Sequence, residues 1–312
     1  MNCYSPEGLL IKNYKNLEYI SSLQGLEKAL ERGVILEAPA LLCDPELNLH
    51  IDLGGRLRAV IPREEVQYSE NGEPTKDIAI LTRVGKPVAF KVIGFKKGGG
   101  GEKIAILSRR AAQRECRENY VSTLIPGDII PTKITHIENF GAFVDIGCGI
   151  TSLLSIDCIS VSRIAHPSAR LSTGDLIYTV VKSIDERGRI YVSERELLGS
   201  WEENAALFDE GQTVKGIIRS VESYGVFVEL RPNLAGLAEY RDDVRPGQTA
   251  AVYIKSIIPE KMKIKLIIID SHDAPESVMP LEYFIDTDNV THINSWVYSP
   301  PMCKRVIESV FS

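Results

Sequence analysis

The 312-residue sequence has no apolar run near the roughly 18 residues that a membrane-crossing helix needs. No membrane partner is expected. Its first residues, MNCYSPEGLLIKNYK, lack a basic start followed by an apolar stretch, so they do not read as a secretory signal. Six cysteines (Cys3, Cys43, Cys116, Cys148, Cys158 and Cys303) are scattered without a CxxC pair. That spacing argues against a zinc site or a disulfide framework and for reduced thiols in the cytoplasm. Nucleotide-binding and catalytic signatures are missing too: there is no GxxxxGK[ST], no HExxH, no nucleophile elbow and no kinase pattern. No enzyme, no cofactor, no metal and no small-molecule substrate is expected. Positive charge is also in short supply. Net charge is −6 and the pI about 5.6, whereas bulk polyanion binders are usually basic. A nucleic-acid surface here would have to be a local stripe.

What is present is a repeated pattern. In "THIENFGAFVDIG" (135–147), Ala142, Val144 and Ile146 share one face of a predicted strand, and Phe143 and Asp145 share the other. Period-two alternation assigns the first face to a core and the second to water. A phenylalanine is then held on the wet face, close to Phe140. The oddity recurs: "ENFGAFVDI" (138–146) aligns with "ESYGVFVEL" (222–230) at a shift of 84 residues. Phe140 meets Tyr224, Gly141 meets Gly225, Phe143 meets Phe227 and Asp145 meets Glu229.

The flanks repeat as well, and each copy reads as five short strands. They are expected near 127–137, 141–147, 150–155, 174–184 and 188–193, then near 211–221, 225–230, 234–239, 247–257 and 261–269. Five strands in so short a span suit a small closed barrel, which removes exposed sheet edges. A weaker copy lies upstream: "LNLHIDLGGRLRAVIPREEV" (47–66) fits 140–159 at a shift of 93. His50 there replaces Phe143 and Leu47 replaces Phe140. The glycine run in "KKGGGGEK" (96–103) is expected to be a hairpin turn.

Helices are expected at 21–33, 109–123 and 200–208, the last with a Ser200/Glu203 capping box. Trp201 on it is expected to be buried. "LEYFIDTDNVTHINSWVYS" reads as a further hairpin. Ser299 and Pro300 suggest a C-terminal helix over "SPPMCKRVIESVF". The fold class is thus mainly β: tandem five-stranded barrels joined by short helices. The divisions are a helical segment 1–32, a divergent first repeat with linker helix 33–124, a second repeat 125–199, a linker helix with third repeat 200–270, and an acidic C-terminal hairpin and helix 271–312.

Strand–turn–"FGAFVDIG"–"SLLSID"–"GDLIYTVVKSID"–"GRIYVSERE" resembles the ribosomal protein S-one RNA-binding domain, an OB-fold barrel. Three tandem copies resemble a short bacterial form of that protein. The resemblance implies an RNA face made by Phe140 and Phe143 in the second repeat and by Tyr224 and Phe227 in the third. It also implies roles for Asp185 and Arg189 in the hairpin between strands four and five, and for Lys263 in the third repeat. His50 is the only candidate at that surface of the first repeat. The family's histidine after strand three is replaced by Pro62, Ser155 and Glu239.

Exposed rings offer stacking platforms to bases at about 1–3 kcal/mol each, and Arg189 and Lys133 could take phosphates. The function expected is single-stranded RNA (mRNA) binding in translation, with the small ribosomal subunit as a possible partner. The alternative is a protein-interaction scaffold on the ribosome or another RNA-associated complex, with little RNA binding of its own. The acidic pI and Glu239 favour it. His136, His166 and His292 are expected to be structural.

Overall fold

The computed structural model describes residues 4–55, 57–69, 72–273 and 281–311. Cys3 and the stretch 274–280 of the acidic segment lie outside the described residues. The chain divides into two units: Met1–Leu124 with the turn Asp145–Thr151, and Ile125–Val144 with Ser152–Ser312.

In the first unit two helices precede a barrel. α1 (Tyr14–Ile20) was not foreshadowed by the sequence pattern; α2 (Leu23–Arg32) was. Ser22 caps α2 by accepting the Gly25 N–H at 3.0 Å, and Gly33 ends it in the left-handed region at φ 61°. The strands are β1 (Leu36–Cys43), β2 (Leu49–Asp52) and β3 (Arg58–Ile61). A short helix α3 (Asp77–Leu81) leads to β4 (Pro87–Lys97) and β5 (Lys103–Ser108). They close in the order β1-β2-β3-β5-β4, with β3 and β5 parallel and the other pairs antiparallel. Phe90, Leu36, Leu49, Ile61 and Leu107 fill the interior, each almost wholly buried. The glycine run turns the β4–β5 hairpin, with the Gly98 N–H bonded to the Glu102 carbonyl at 2.7 Å. α4 (Arg109–Asn119) follows, capped by Ser108. Its first residue, Arg109, is buried and donates to Glu7 at 2.6 and 3.1 Å, which satisfies both charges away from water.

The second barrel runs β6 (Ile129–Glu138), β7 (Gly141–Asp145), β8 (Thr151–Ser155), β9 (Leu176–Ile184) and β10 (Ile190–Ser193). α5 (Trp201–Ala205) carries the expected capping box between Ser200 and Glu203. The third barrel is β11 (Thr213–Glu222), β12 (Gly225–Arg231), β13 (Leu234–Ala238), β14 (Thr249–Ile258) and β15 (Lys263–His272). Both close in the same cyclic strand order as the first. Three closed five-stranded barrels of the OB type result. Strand β15 shows why: Ile264, Leu266 and Ile268 point inward while Lys263, Lys265 and Ile267 point out. Trp201 is buried as expected and packs into the core of the third barrel with Trp296 and Tyr298.

Within the second unit, polar groups fasten the approach to the third barrel. Arg170, after β8, is buried and forks onto the wholly buried Glu229 of β12, at 2.9 and 2.5 Å. Arg219 of β11 grips the same carboxylate at 2.8 and 3.1 Å. The buried Asn233 amide donates to the carbonyls of Arg195 and Gly199 and accepts the Val161 N–H.

The C-terminal helix expected over 299–311 is not formed. Instead β16 (Ser295–Val297) pairs antiparallel with β17 (Glu308–Val310), and residues 298–307 loop between them. Nor does 281–299 form a hairpin by itself, since β16 finds its partner further on. The reason is packing: Trp296, Tyr298 and Phe311 are buried, whereas Met302, Val306 and Val310, the apolar set of the imagined helix, are exposed.

Candidate nucleic-acid interface

The second barrel presents its rings through local geometry. On β7, Ala142 and Val144 are fully buried, and Phe143 between them is half-buried on the opposite face. Phe140 tips the β6–β7 hairpin and is 53% exposed. The glycine that follows is required: a Cβ on Gly141 would lie 2.4 Å from the Leu154 carbonyl oxygen. That close approach lets the Ile156 N–H bond the Phe140 carbonyl at 2.9 Å, which fixes the tip. Phe140 and Phe143 meet edge to face, centroids 6.0 Å apart at 87°.

The third barrel repeats the arrangement. Tyr224 and Phe227 are 6.1 Å apart at 86°, with Tyr224 69% exposed. Gly225 sits as tightly as Gly141, its would-be Cβ 2.5 Å from the Ala238 carbonyl oxygen. Phe227, Leu237 and Lys265 stand side by side across β12, β13 and β15.

His136, expected to be structural, lies beside the ring pair of the second barrel. Its ring lies nearly parallel to Phe143, centroids 6.4 Å apart at 15°, and its Nε2 contacts Glu138 at 2.7 Å. The signal was available. In the third barrel Ser220 pairs with Phe227, and the 84-residue shift carries Ser220 onto His136.

Asp185 and Arg189 come together in the β9–β10 turn. Asp185 Oδ1 accepts the backbone N–H groups of Arg187 and Arg189, and Oδ2 accepts from Arg189 Nε at 2.8 Å. The Arg189 backbone N–H, then its guanidinium, hold the Asp185 carboxyl below the usual carboxylate range. Asp185 therefore holds the turn and positions an exposed guanidinium. Lys133 is half-buried on β6. In the third barrel the corresponding turn is built from Pro259–Lys261, and Lys263 is exposed beside it.

The first barrel lacks the ring pair: Leu47 and His50 stand there instead. His50 contacts Asp44 at 3.1 Å, so its imidazole is tied to its own barrel. Among the described residues no group of three or more His, Cys, Asp or Glu is arranged to hold a metal, and no helix is long and apolar enough to cross a membrane.

One expectation is corrected. Asp145 does not share the wet face with Phe143. It is 2% exposed, and its oxygens accept the N–H groups of Glu7, Gly147 and Gly149 at 2.7, 2.8 and 3.0 Å. Burial, then repulsion from Glu7, raise its carboxyl to about 7. Glu229, its counterpart in the third barrel, is buried too. The wet face ends at the aromatic.

A closed OB barrel with an exposed ring pair at the start of its second strand, and a cation on the turn between its fourth and fifth, has the arrangement by which OB barrels can hold single-stranded nucleic acid. Residues 123–195 match the family model of the S1 RNA binding domain. The chain is 29% identical over 203 residues to small ribosomal subunit protein bS1 of Staphylococcus saprophyticus, covering 60% of this chain and 50% of that protein. It is 28% identical to bS1 of Staphylococcus aureus, covering 91% of this chain and 72% of that protein. It is 27% identical to bS1 of Rhizobium meliloti, covering 78% and 44%. The chain thus spans about half the length of the first of these relatives. A crystal structure of a multidomain protein with nucleic acid binding domains from Streptococcus pneumoniae aligns at 15% identity over 78% of this chain and 75% of that one, with a TM-score of 0.24.

Proposed function

We propose that the chain binds single-stranded RNA in translation, beside the small ribosomal subunit, by stacking bases on its second and third barrels. The observation that carries this reading is the pair of T-shaped ring contacts, 6.0 and 6.1 Å, at repeat-equivalent positions and both partly open to solvent. Rings packed only for stability would be covered, as Trp201 is. Arg189 supplies a positioned cation for phosphate, and His136 widens the platform of the second barrel. The first barrel is mainly structural. Two modest sites in series hold one strand better than either alone, if the strand can reach both.

The test is fluorescence anisotropy with a labelled oligoribonucleotide. Changing Phe140, Phe143, Tyr224 and Phe227 to Ala removes at least one stacked base per barrel. At about 1–3 kcal/mol per base, affinity should fall by about 30-fold or more. Unweakened binding would sink stacking as the mechanism.

A second reading, a scaffold that docks on a ribosomal or other protein, is favoured by the net charge of −6 and by exposed Glu239 at the end of β13. Co-sedimentation with ribosomes before and after nuclease treatment separates the two. An RNA tether is lost on digestion and a protein dock is not.

A further inference from the structure

Resting on that reading, we propose that the loop 298–307 is the second wall of an RNA groove on the third barrel, and that Lys304 and Arg305 bind phosphates of the strand whose bases lie on Tyr224 and Phe227. The sequence repeat gives the third barrel the same open face as the second. The structure does not leave it open. A groove of about 940 Å3 lies over that face, at the upper end of the roughly 300–1,000 Å3 typical of ligand sites. One wall is Tyr224, Phe227 and Leu237, with Lys261 and Lys263 along its edge; the other is Tyr298, Met302, Cys303, Lys304 and Arg305.

The second wall is held in place. The Tyr298 N–H donates to the Ile307 carbonyl at 2.9 Å, and the Ile307 N–H donates to Ser299 Oγ at 2.8 Å, which closes the base of the loop. Tyr298 is buried, its hydroxyl donates to the Asn233 carbonyl at 2.5 Å, and its own carbonyl accepts the Trp201 N–H at 2.9 Å. Pro300 and Pro301 stiffen the loop further. A wall so anchored loses little freedom when a ligand arrives.

Charge selects the occupant. Residues 271–312 hold six carboxylates and only two cations, Lys304 and Arg305, and both cations line the groove. Lys261, Lys263, Lys304 and Arg305 are exposed, and none has an ion-pair partner among the described residues. Glu260 is the one carboxylate in the lining. Four unneutralised cations around an aromatic and aliphatic floor match a strand of flat bases with charged phosphates on its outside. The groove thus supplies by a C-terminal loop what the third barrel lacks at its β14–β15 turn, where Ile258 faces Lys263 as Asp185 faces Arg189 in the second.

Two measurements on the full chain test this, both with a labelled oligouridylate. In the first, Lys304→Ala/Arg305→Ala should lower affinity and reduce the slope of log Kobs against log[salt] by about 1.4, two phosphates at about 0.7 each. Thermal unfolding should stay unchanged, because both side chains are exposed. The loss should be non-additive with Tyr224→Ala/Phe227→Ala and additive with Phe140→Ala/Phe143→Ala. In the second, oligouridylate should slow alkylation of Cys303, read by peptide mass, and Tyr224→Ala/Phe227→Ala should abolish that protection.

Unchanged affinity and slope in the loop variant, alongside weakened binding in the ring variants, would overturn the groove and leave base stacking standing. Tighter binding in the loop variant would show a cover instead of a wall, which also overturns it. Protection of Cys303 by polyglutamate but not by oligouridylate would assign the groove to an acidic protein segment. A wild-type chain that binds no oligouridylate at low salt would remove both the groove and the stacking reading.

Discussion

Changing Glu229 to Gln should unfold the third barrel far more easily than its conservative size suggests. The carboxylate is fully buried and accepts four N–H bonds, two from Arg170 and two from Arg219, between 2.5 and 3.1 Å. An amide has the same shape but turns one acceptor into a donor that faces guanidinium N–H groups, and it removes the compensating charge. Arg170 is 3% exposed and cannot turn to water. Removing one partner of such a pair costs about 3–5 kcal/mol, mostly because the survivor is left charged in a low dielectric. The assay is urea unfolding followed by tryptophan fluorescence. The chain has two tryptophans, Trp201 and Trp296, and both pack into the third barrel's core, so the signal reports that barrel. With m of about 1–3 kcal/mol per molar urea, the midpoint should fall by roughly 1–5 M. A shift under about 1 kcal/mol would refute the reasoning. So would a failure of the apolar triple variant Arg170→Met/Arg219→Met/Glu229→Met to recover most of the loss, since removing a whole buried ion cluster is often neutral.

Gly225→Ala and Gly141→Ala should each cost about 1–3 kcal/mol in thermal unfolding, because the new methyl meets a backbone carbonyl oxygen that cannot swing away; the RNA-binding loss should track the unfolding. Arg189→Ala should leave stability nearly unchanged and lower the salt slope of oligoribonucleotide binding by about 0.7, the share of one phosphate. Glu194→Gln should flatten the stability–pH profile. Burial raises the Glu194 carboxyl from 4.5 to about 8, so between those values the folded chain holds a proton that the unfolded chain has lost. Wild-type stability should therefore fall as pH rises through that window, by at most about 1.4 kcal/mol per unit. The Gln variant should lack this fall in urea titrations at pH 5, 6, 7 and 8.

The barrels were legible because their signal is repeated. An echo at 84 residues for strands one to three and at 73–74 for strands four and five, with glycine at the same place twice, fixes the strands better than alternation in either copy alone, and their starts came within about two residues of the observed strands. The ring pairs were legible for the same reason. Asp145 and Glu229 were misread because alternation reports only the face of the barrel's own sheet. Their partners, the Glu7 N–H and the Arg170 guanidinium, come from segments 138 and 59 residues away, and no local pattern contains them. The C-terminal loop was misread for a related reason. Ser299 and Pro300 satisfy a helix-start rule, yet the decisive contact is Tyr298 with Asn233, made possible only once the third barrel exists.

Arg170 has a second carboxyl within its field, and this makes the cost of losing Glu229 depend on pH. Glu194 is fully buried; its Oε1 accepts from the Tyr283 hydroxyl at 3.3 Å, and its Oε2 has no hydrogen-bond partner. Burial keeps it protonated near neutrality, while the Arg170 charge pulls the other way. In wild type Arg170 already belongs to Glu229, so most of that pull is cancelled. In Glu229→Gln the cancellation is gone, and the exposed positive potential lowers the Glu194 carboxyl from its wild-type position, so that more of it ionises by pH 8. Once ionised, Glu194 returns part of the missing charge to Arg170. The penalty of Glu229→Gln should therefore shrink between pH 5 and pH 8, opposite to a loss of contacts alone, which would stay constant. Tryptophan-detected urea midpoints for wild type, Glu229→Gln, Glu194→Gln and the double variant at those two pH values make the comparison. A penalty that is equal at both, or that shrinks just as much when Glu194 is Gln, would show that Arg170 does not couple the two carboxyls.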